Sequence, residues 1–383
     1  MDINGKRILI TGASGFVGSR LCERLYLGYE AKPTALVRNL GRACRIGRMR
    51  IPLVKGDILD KDLMDKLIGD SDIVIHLVAG GTRSIVDGTR IIARLCRKHR
   101  VARMVHMSSA AVYGIRSGED HIREDAPLRK TGDAYPDAKI KAEEIVKRET
   151  EKGLPSVVLR PRIVWGPYST WVETFYSRLR DNTFCLVDNG DGACNTIYID
   201  NLIDATLLAI ENDRAVGEVF FVTDDEKISW RTFYTRWASF LDQDIRFVSV
   251  DSASFLNSHR KPGVLQETKA FLTSPTLKNL LMEAPILNRF SKKVFESLGN
   301  LPDQKKIWIK DFLGVNRPEK HMRDRKNESF SVDIGRIKRE SGRGYTDITK
   351  IKTTLGYRPG VDFNTGSDLT REWLAFAGIL NSR

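Results

Sequence analysis

The stretch that most constrains this 383-residue chain is Thr11-Gly12-Ala13-Ser14-Gly15-Phe16-Val17-Gly18. It comes after the apolar run Arg7–Ile10 and leads into Ser19–Leu25. The order reads strand, glycine-rich turn, helix. Such a turn aims main-chain N–H groups and a helix N-terminus at one point, the arrangement that receives a dinucleotide pyrophosphate. Gly12 permits the turn, Gly15 lets a phosphate approach the main chain, and Gly18 lets the helix lie close to the strand. Ser14, Phe16 and Val17 complete the loop and first helical turn that face the ligand. The spacing is G-x-x-G-x-x-G rather than the commoner G-x-G-x-x-G.

The alternation of strand and helix continues beyond the turn. Apolar runs at Arg7–Ile10, Thr34–Val37, Pro52–Lys55, Ile73–Leu77 and Met104–Met107 predict strands. Gly15–Leu25, Lys61–Leu67 and Ile85–Lys98 between them predict helices. Strands alternating with helices predict an α/β, Rossmann-like doubly wound parallel sheet. A helix near Ala138–Glu151, a strand at Ser156–Leu159, a helix at Ile197–Glu211 and a strand at Glu218–Val222 extend the pattern. Beyond Lys227 the pattern changes. Ser229–Leu241 predicts a helix with Phe233, Trp237 and Phe240 on one face. Thr276–Met282, Ile307–Leu313, Thr349–Leu355 and Asp368–Ala377 predict further helices, the last with Leu369, Trp373, Leu374 and Phe376 available for packing. The expected organisation is a nucleotide-binding domain over residues 1–165, to which 196–225 return. A smaller, mostly helical substrate domain takes 166–195 and 226–383, with a basic insert near 252–345.

At 41% apolar, the chain can bury a sizeable core. No apolar run reaches the ~18 residues of a membrane span, and the first apolar run is the first strand rather than a leader. Cys22, Cys44, Cys96, Cys185 and Cys194 are scattered, odd in number and without C-x-x-C spacing. They predict neither disulfides nor a zinc or other metal site, and a cytoplasmic setting is expected. The net charge of +13 gathers at Arg38–Arg50 and in the C-terminal third. A solvated face, an anionic ligand and an acidic surface all match it. No recognised nucleic-acid motif accompanies it. The segment Val264–Phe330 is either a helical lid or a membrane-surface element.

Tyr135-Pro136-Asp137-Ala138-Lys139 places a tyrosine and a lysine four apart, on one helix face. A phenol near pKa 10 is a weak base at neutral pH. A neighbouring ammonium lowers that pKa, so that the tyrosine can exchange a proton with a substrate oxygen. Met107-Ser108-Ser109-Ala110-Ala111-Val112-Tyr113-Gly114 puts hydroxyls at the C-terminal end of a strand, where open parallel sheets hold ligands.

Together, these pieces resemble the extended branch of the short-chain dehydrogenase/reductase superfamily, the NAD-dependent epimerase/dehydratase type. The resemblance also includes Gly56-Asp57-Ile58, His76–Gly80, Leu159-Arg160-Pro161 through Pro167, Tyr198–Asn201 and Leu355–Pro359. It implies that Tyr135 is the acid/base and that Lys139 is its partner and a ribose contact. Ser109 would hold the substrate oxygen, with Ser108 the alternative. Asp57 and Ile58 would meet adenine, with Leu77 and Ala79 beside the cofactor. The second strand ends in Val37-Arg38-Asn39, with Arg42 nearby, where an acidic residue would bind the ribose of NAD. Arg38 therefore favours NADP, with NAD possible.

Departures from the resemblance concern the substrate. Relatives that eliminate water carry two carboxylates before V-Y-G, where this chain has Ala110 and Ala111. Nucleotide-sugar epimerases carry an asparagine where Ile163 stands and an arginine where Cys194 stands. Arg162 or Arg178 is the candidate replacement, and Ser109, Arg162 and Cys194 are the expected substrate contacts. The expected function is hydride transfer at a secondary alcohol or ketone, of a sugar or nucleotide sugar, by an epimerase or reductase. Hydroxysteroid-dehydrogenase-like or flavonoid-reductase-like chemistry and a non-catalytic cofactor sensor are the alternatives. A homodimer is the expected assembly.

Overall fold

The computed structural model describes residues 1–114, 121–241, 245, 247–258, 322–323, 329–330 and 332–380. The chain divides into two units, Met1–Val250 with Gly335–Arg383, and Asp251–Ile334. In the second, a helix at Ser252–Ser258 and an antiparallel pair, Met322–Arg323 with Ser329–Phe330, are described. The helices expected at Thr276–Met282 and Ile307–Leu313, and most of Val264–Phe330, lie outside the described residues.

The first unit is built on a seven-stranded sheet. Its strands are β1 (Arg7–Thr11), β2 (Lys32–Val37), β3 (Leu53–Lys55), β4 (Ile73–His76), β5 (Arg103–Met107), β6 (Ser156–Pro161) and β7 (Val219–Val222). Their spatial order is β7-β6-β5-β4-β1-β2-β3, and every pairing is parallel. This is the doubly wound order, with the topological switch between β1 and β4. Continuous apolar runs suit strands covered on both faces, and β4 and β5 are buried at every position. The covering helices include α1 (Phe16–Gly28), α2 (Lys61–Gly69), α3 (Thr89–Lys98), α4 (Ala134–Thr150) and α6 (Ile199–Glu211), with α5 (Thr170–Arg180) between the last two in the chain.

Several helices depart from their expected bounds, α4 and the closing helix among them. α4 starts at Ala134, a turn earlier than Ala138, because Pro136 falls in the first turn, where its missing N–H is not needed. The closing helix runs over Phe363–Phe376, capped by Asp362, whose side chain accepts from the Thr365 N–H. Only Leu374 of its expected packing residues is fully buried, while Leu369 and Phe376 are exposed, the latter at 88%. Leu369, Trp373 and Phe376 recur at i, i+4 and i+7, so they share a stripe that turns away from Leu374.

Beside the sheet lies an aromatic cluster. Trp165, Phe233 and Trp237 are fully buried, and Trp165 meets Tyr198, Phe233 and Trp237 edge to face. The helix α7 (Trp230–Ala238) supplies Phe233 and Trp237 together with Tyr234, and Ser229 caps it by accepting from the Thr232 N–H at 3.1 Å. One buried asparagine joins distant segments of the chain. The Asn201 side-chain oxygen accepts from the N–H groups of Gly360 and Val361, both at 3.0 Å. Its NH₂ donates to Asp224 and to the Val361 carbonyl, both at 2.7 Å. Burial pushes the Asp224 carboxyl up to about 7, against hydrogen bonds from Asn201, the Tyr198 N–H and Trp165. The two motifs Tyr198–Asn201 and Leu355–Pro359 are therefore neighbours because one side chain satisfies the loop after the second. Replacing Asn201 by Ala leaves these partners buried and unpaired, and should cost roughly 2–4 kcal/mol of stability. Equilibrium denaturant unfolding checks this, and a loss below ~1 kcal/mol would contradict the role given to Asn201.

Candidate active site

Parallel pairing brings the carboxyl ends of the strands to one edge of the sheet. Gly12 follows β1, Arg38 follows β2, Leu77 follows β4, Ser108 follows β5 and Arg162 follows β6. Asp57 lies two residues beyond β3. The crevice at the β1/β4 switch is where ligands of such sheets bind.

The glycine turn has the shape of an anion cradle. Gly12 has φ +74° and approaches Leu77 so closely that an added Cβ would lie 3.1 Å from the Leu77 carbonyl oxygen. A Cβ at Gly18 would collide with the main chain of Gly12 and would lie 2.7 Å from the Ala13 Cα. Gly15 is the N-cap of α1, no side chain caps that end, and its first turn holds no acidic residue. The first amides of α1 thus remain open to an anion. Phe16 and Val17 are half-buried against the core, and Ser14 is half-buried in the turn. These residues fit a dinucleotide pyrophosphate.

The other expected cofactor residues surround this turn. Arg38 and Arg42 are exposed, and Asn39 between them accepts from the Gly41 N–H at 2.8 Å. Asp57 is half-buried and accepts from the Leu59 N–H at 2.9 Å. Ile58 is buried, its side chain against Gly88 at the end of a π turn, Ser84–Gly88. Ala79 is exposed, just beyond half-buried Leu77.

Ser109, Tyr135 and Lys139 come together from β5 and α4. Ser109 acts on the Tyr135 hydroxyl, pulling its pKa down against the effect of burial. Ser109 also accepts from the Ala111 N–H at 3.2 Å, which caps the short turn Ala110–Tyr113. Tyr135 is 40% exposed as a residue, while Lys139 is 2% exposed. Asp137, between them, accepts from the N–H groups of Thr131 at 2.9 Å and Gly132 at 3.2 Å, fixing the loop ahead of α4.

Lys139 donates to the Val78 carbonyl at 3.0 Å and the Met107 carbonyl at 2.7 Å, bridging the ends of β4 and β5. Its Nζ is 5.9 Å from the Tyr135 ring centroid. Burial pulls the ammonium down to about 8, and Glu143 pulls it back up. The Tyr–Lys spacing predicts that Lys139 lowers the tyrosine. In the structure burial pushes Tyr135 above the ordinary tyrosine range, with Ser109 opposing it. Lys139, its ammonium bound to two main-chain carbonyls, is not among the groups that shift Tyr135.

The two substrate candidates beyond Ser109 differ in their surroundings. Arg162 donates from Nε to the Thr346 hydroxyl at 2.5 Å, lies over the Phe221 ring, and is pulled down to about 10 by burial. Cys194 is 1% exposed within the hydrophobic core, and burial, with Glu340 and Asp224 nearby, pushes its thiol up. Arg178 is half-buried on α5. Ser108 is buried and donates to Glu143.

Four residues behind the site carry no role in the sequence reading. Glu143 and Arg160 form a buried ion pair. His76 and His106 stack at 5.5 Å, both buried. His76 bonds the Thr11 hydroxyl at 2.8 Å and the Thr89 hydroxyl at 3.0 Å, joining the glycine turn to α3. Burial, with Lys139 nearby, pulls His76 down to about 3 and His106 well below the usual histidine range. Glu143 carried one available signal, its place one turn after Lys139 on the same face.

A family model described as the NAD dependent epimerase/dehydratase family matches residues 8–222, more than half of the chain. The 4-hydroxy-2-methyl-3-oxo-4-farnesyl-3,4-dihydroquinoline-1-oxide ketoreductase of Stigmatella aurantiaca is 29% identical over 240 residues, covering 60% of this chain and 71% of that protein. A decarboxylating sterol-4-alpha-carboxylate 3-dehydrogenase of Candida albicans is 24% identical over 400 residues, covering 96% and 97%. The UDP-glucuronic acid 4-epimerase structure from Bacillus cereus, in complex with NAD, is similar in fold. Its TM-score is 0.66 at 18% identity, covering 97% of this chain and 99% of that chain.

The cradle makes a direct prediction. Gly18→Ala should weaken NAD(P)H binding at least about tenfold, or ~1.4 kcal/mol. Fluorescence titration of the reduced dinucleotide measures this, and an unchanged affinity would refute the role of the close helix approach.

Proposed function

The chain belongs to the NAD dependent epimerase/dehydratase family, and we propose that it moves a hydride between a nicotinamide cofactor and a secondary alcohol or ketone. The observation that carries this reading is the meeting of Ser109 with Tyr135 and Lys139 at the carboxyl edge of the sheet, with Lys139 buried one turn beyond Tyr135 and bound to the Val78 and Met107 carbonyls. The nicotinamide, when bound, supplies or accepts the hydride. Gly12, Ser14, Gly15, Phe16, Val17 and Gly18 would hold its pyrophosphate, and Asp57, Ile58, Leu77 and Ala79 would line the rest. Tyr135 gives a proton to the substrate oxygen in reduction or takes it in oxidation. Ser109 orients that oxygen, and Lys139 supplies positive charge behind the phenol.

The segment between Ser109 and Val112 offers no carboxylate, which supports redox or epimerisation over elimination of water. Nucleotide sugars are the first substrate class to test. A second reading, an apolar ketone, is supported by burial of Cys194 and by the near full-length likeness to a sterol dehydrogenase. Exposed Arg38 at the end of β2 supports NADP as the preferred cofactor.

Tyr135→Phe should abolish turnover and leave dinucleotide binding intact, as measured by steady-state kinetics beside fluorescence titration. Activity equal to wild type in that variant would sink the proposal. An epimerase would turn over without net cofactor consumption, whereas a reductase would consume NADPH stoichiometrically. Arg38→Ala should raise the KM for NADPH about tenfold and leave that for NADH nearly unchanged, consistent with loss of one charged phosphate contact. Equal effects on both cofactors would remove the NADP preference.

A further inference from the structure

Behind Lys139 lies a chain of buried polar groups that the proton transfer does not use. Ser108, at the end of β5, donates to Glu143 Oε1. Arg160, on β6, holds the same carboxylate with Nε at 3.0 and 3.2 Å and with Nη2 at 2.5 Å. Arg160 Nη1 donates to the Tyr113 hydroxyl and, at 3.1 Å, to the Glu124 carbonyl. Ser108, Glu143 and Arg160 are all at least nine-tenths buried. Burying an ion pair is expensive and rarely a gain over apolar packing. This one joins three elements: the strand end that leads into Ser109, the helix that carries Tyr135 and Lys139, and β6.

We propose that Glu143 is a positioning residue for this site. Held by Ser108 and Arg160, it fixes the distance between Ser109 and the Tyr135–Lys139 pair and keeps a negative charge behind the ammonium. The proposal rests on the redox reading given above. The other groups around Lys139 do not replace that charge. Tyr135 shares its helix. His76 and His106, on β4 and β5, are held neutral by burial at physiological pH. Asp87, on the turn before α3, is paired with Arg90. Arg94 and Arg97 of α3 face Glu149 at the far end of α4. Glu143 is thus the anion that acts on Lys139, and it raises the pH at which the ammonium loses its proton.

Two variants test this. Ser108→Ala keeps the ion pair and removes only the tie to β5. It should lower kcat about tenfold with KM nearly unchanged, the signature of misplacement rather than lost binding. Glu143→Gln removes the charge. The Lys139 titration, followed by NMR of ¹⁵N-lysine-labelled protein, should move to lower pH, and the basic limb of kcat should move with it. Circular dichroism and thermal unfolding establish that each variant is folded, and if Glu143→Gln is not, the Ser108→Ala kinetics decide. An unmoved Lys139 titration in folded Glu143→Gln, or wild-type kcat in Ser108→Ala, overturns the proposal. A wild-type chain that turns over no alcohol or ketone sinks the redox reading instead, because the Lys139 titration is read without substrate.

Discussion

The parallel pairing of β1 with β4 is the constraint from which the site is built. β1 pairs with β2 on its other side, so the chain leaves the two central strands in opposite directions across the sheet. Their loops diverge and leave a crevice at the carboxyl edge. Everything with chemical potential gathers there: the glycine turn after β1, Arg38 after β2, Leu77 after β4 and the serines after β5. Gly12 against Leu77 is the closest expression of this geometry, since the turn after β1 rests on the residue just past β4.

A crevice alone does not bring Ser109 to the Tyr135–Lys139 pair. That is done from beneath by polar groups sealed from water. Lys139 spends two of its hydrogen bonds on the carbonyls of Val78 and Met107, tying β4 to β5 at the point where they open. His76 ties β1 to α3 through two threonine hydroxyls. Glu143 and Arg160 extend the scaffold to β6. Neither ring nitrogen of His106 has a hydrogen-bond partner among the described residues. Such a group is costly in a core.

The second buried network acts on the fold. Asn201, Asp224 and Trp165 lock the start of α6 to the segment after Leu355–Pro359, and Tyr357 donates to the Thr223 carbonyl at 3.2 Å. Two motifs distant in sequence are thereby one structural unit. Their conspicuous residues serve main-chain hydrogen bonds and packing.

Local chemistry carried much of this into the sequence. Apolar runs and glycine spacing are short-range signals, so the seven sheet strands, the turn at Gly12–Gly18 and the shared face of Tyr135 and Lys139 could be read directly. Burial of particular side chains could not, because it depends on which segments meet in space. Arg162 reads as a candidate substrate contact and donates to Thr346. Cys194 stands where relatives carry an arginine and is sealed in the core. Leu369 and Phe376 read as packing residues and face outward. The Lys139 ammonium reads as a charge for the phenol and is held by two carbonyls. The order of elements and the residue types at the crevice were already legible in the chain, since both follow from periodicity and spacing. The surroundings of those residues came only with folding, because desolvation and hydrogen-bond partners are supplied by β4, β5 and β6. These strands are separate from α4 along the chain, and their ends meet its buried side chains in space.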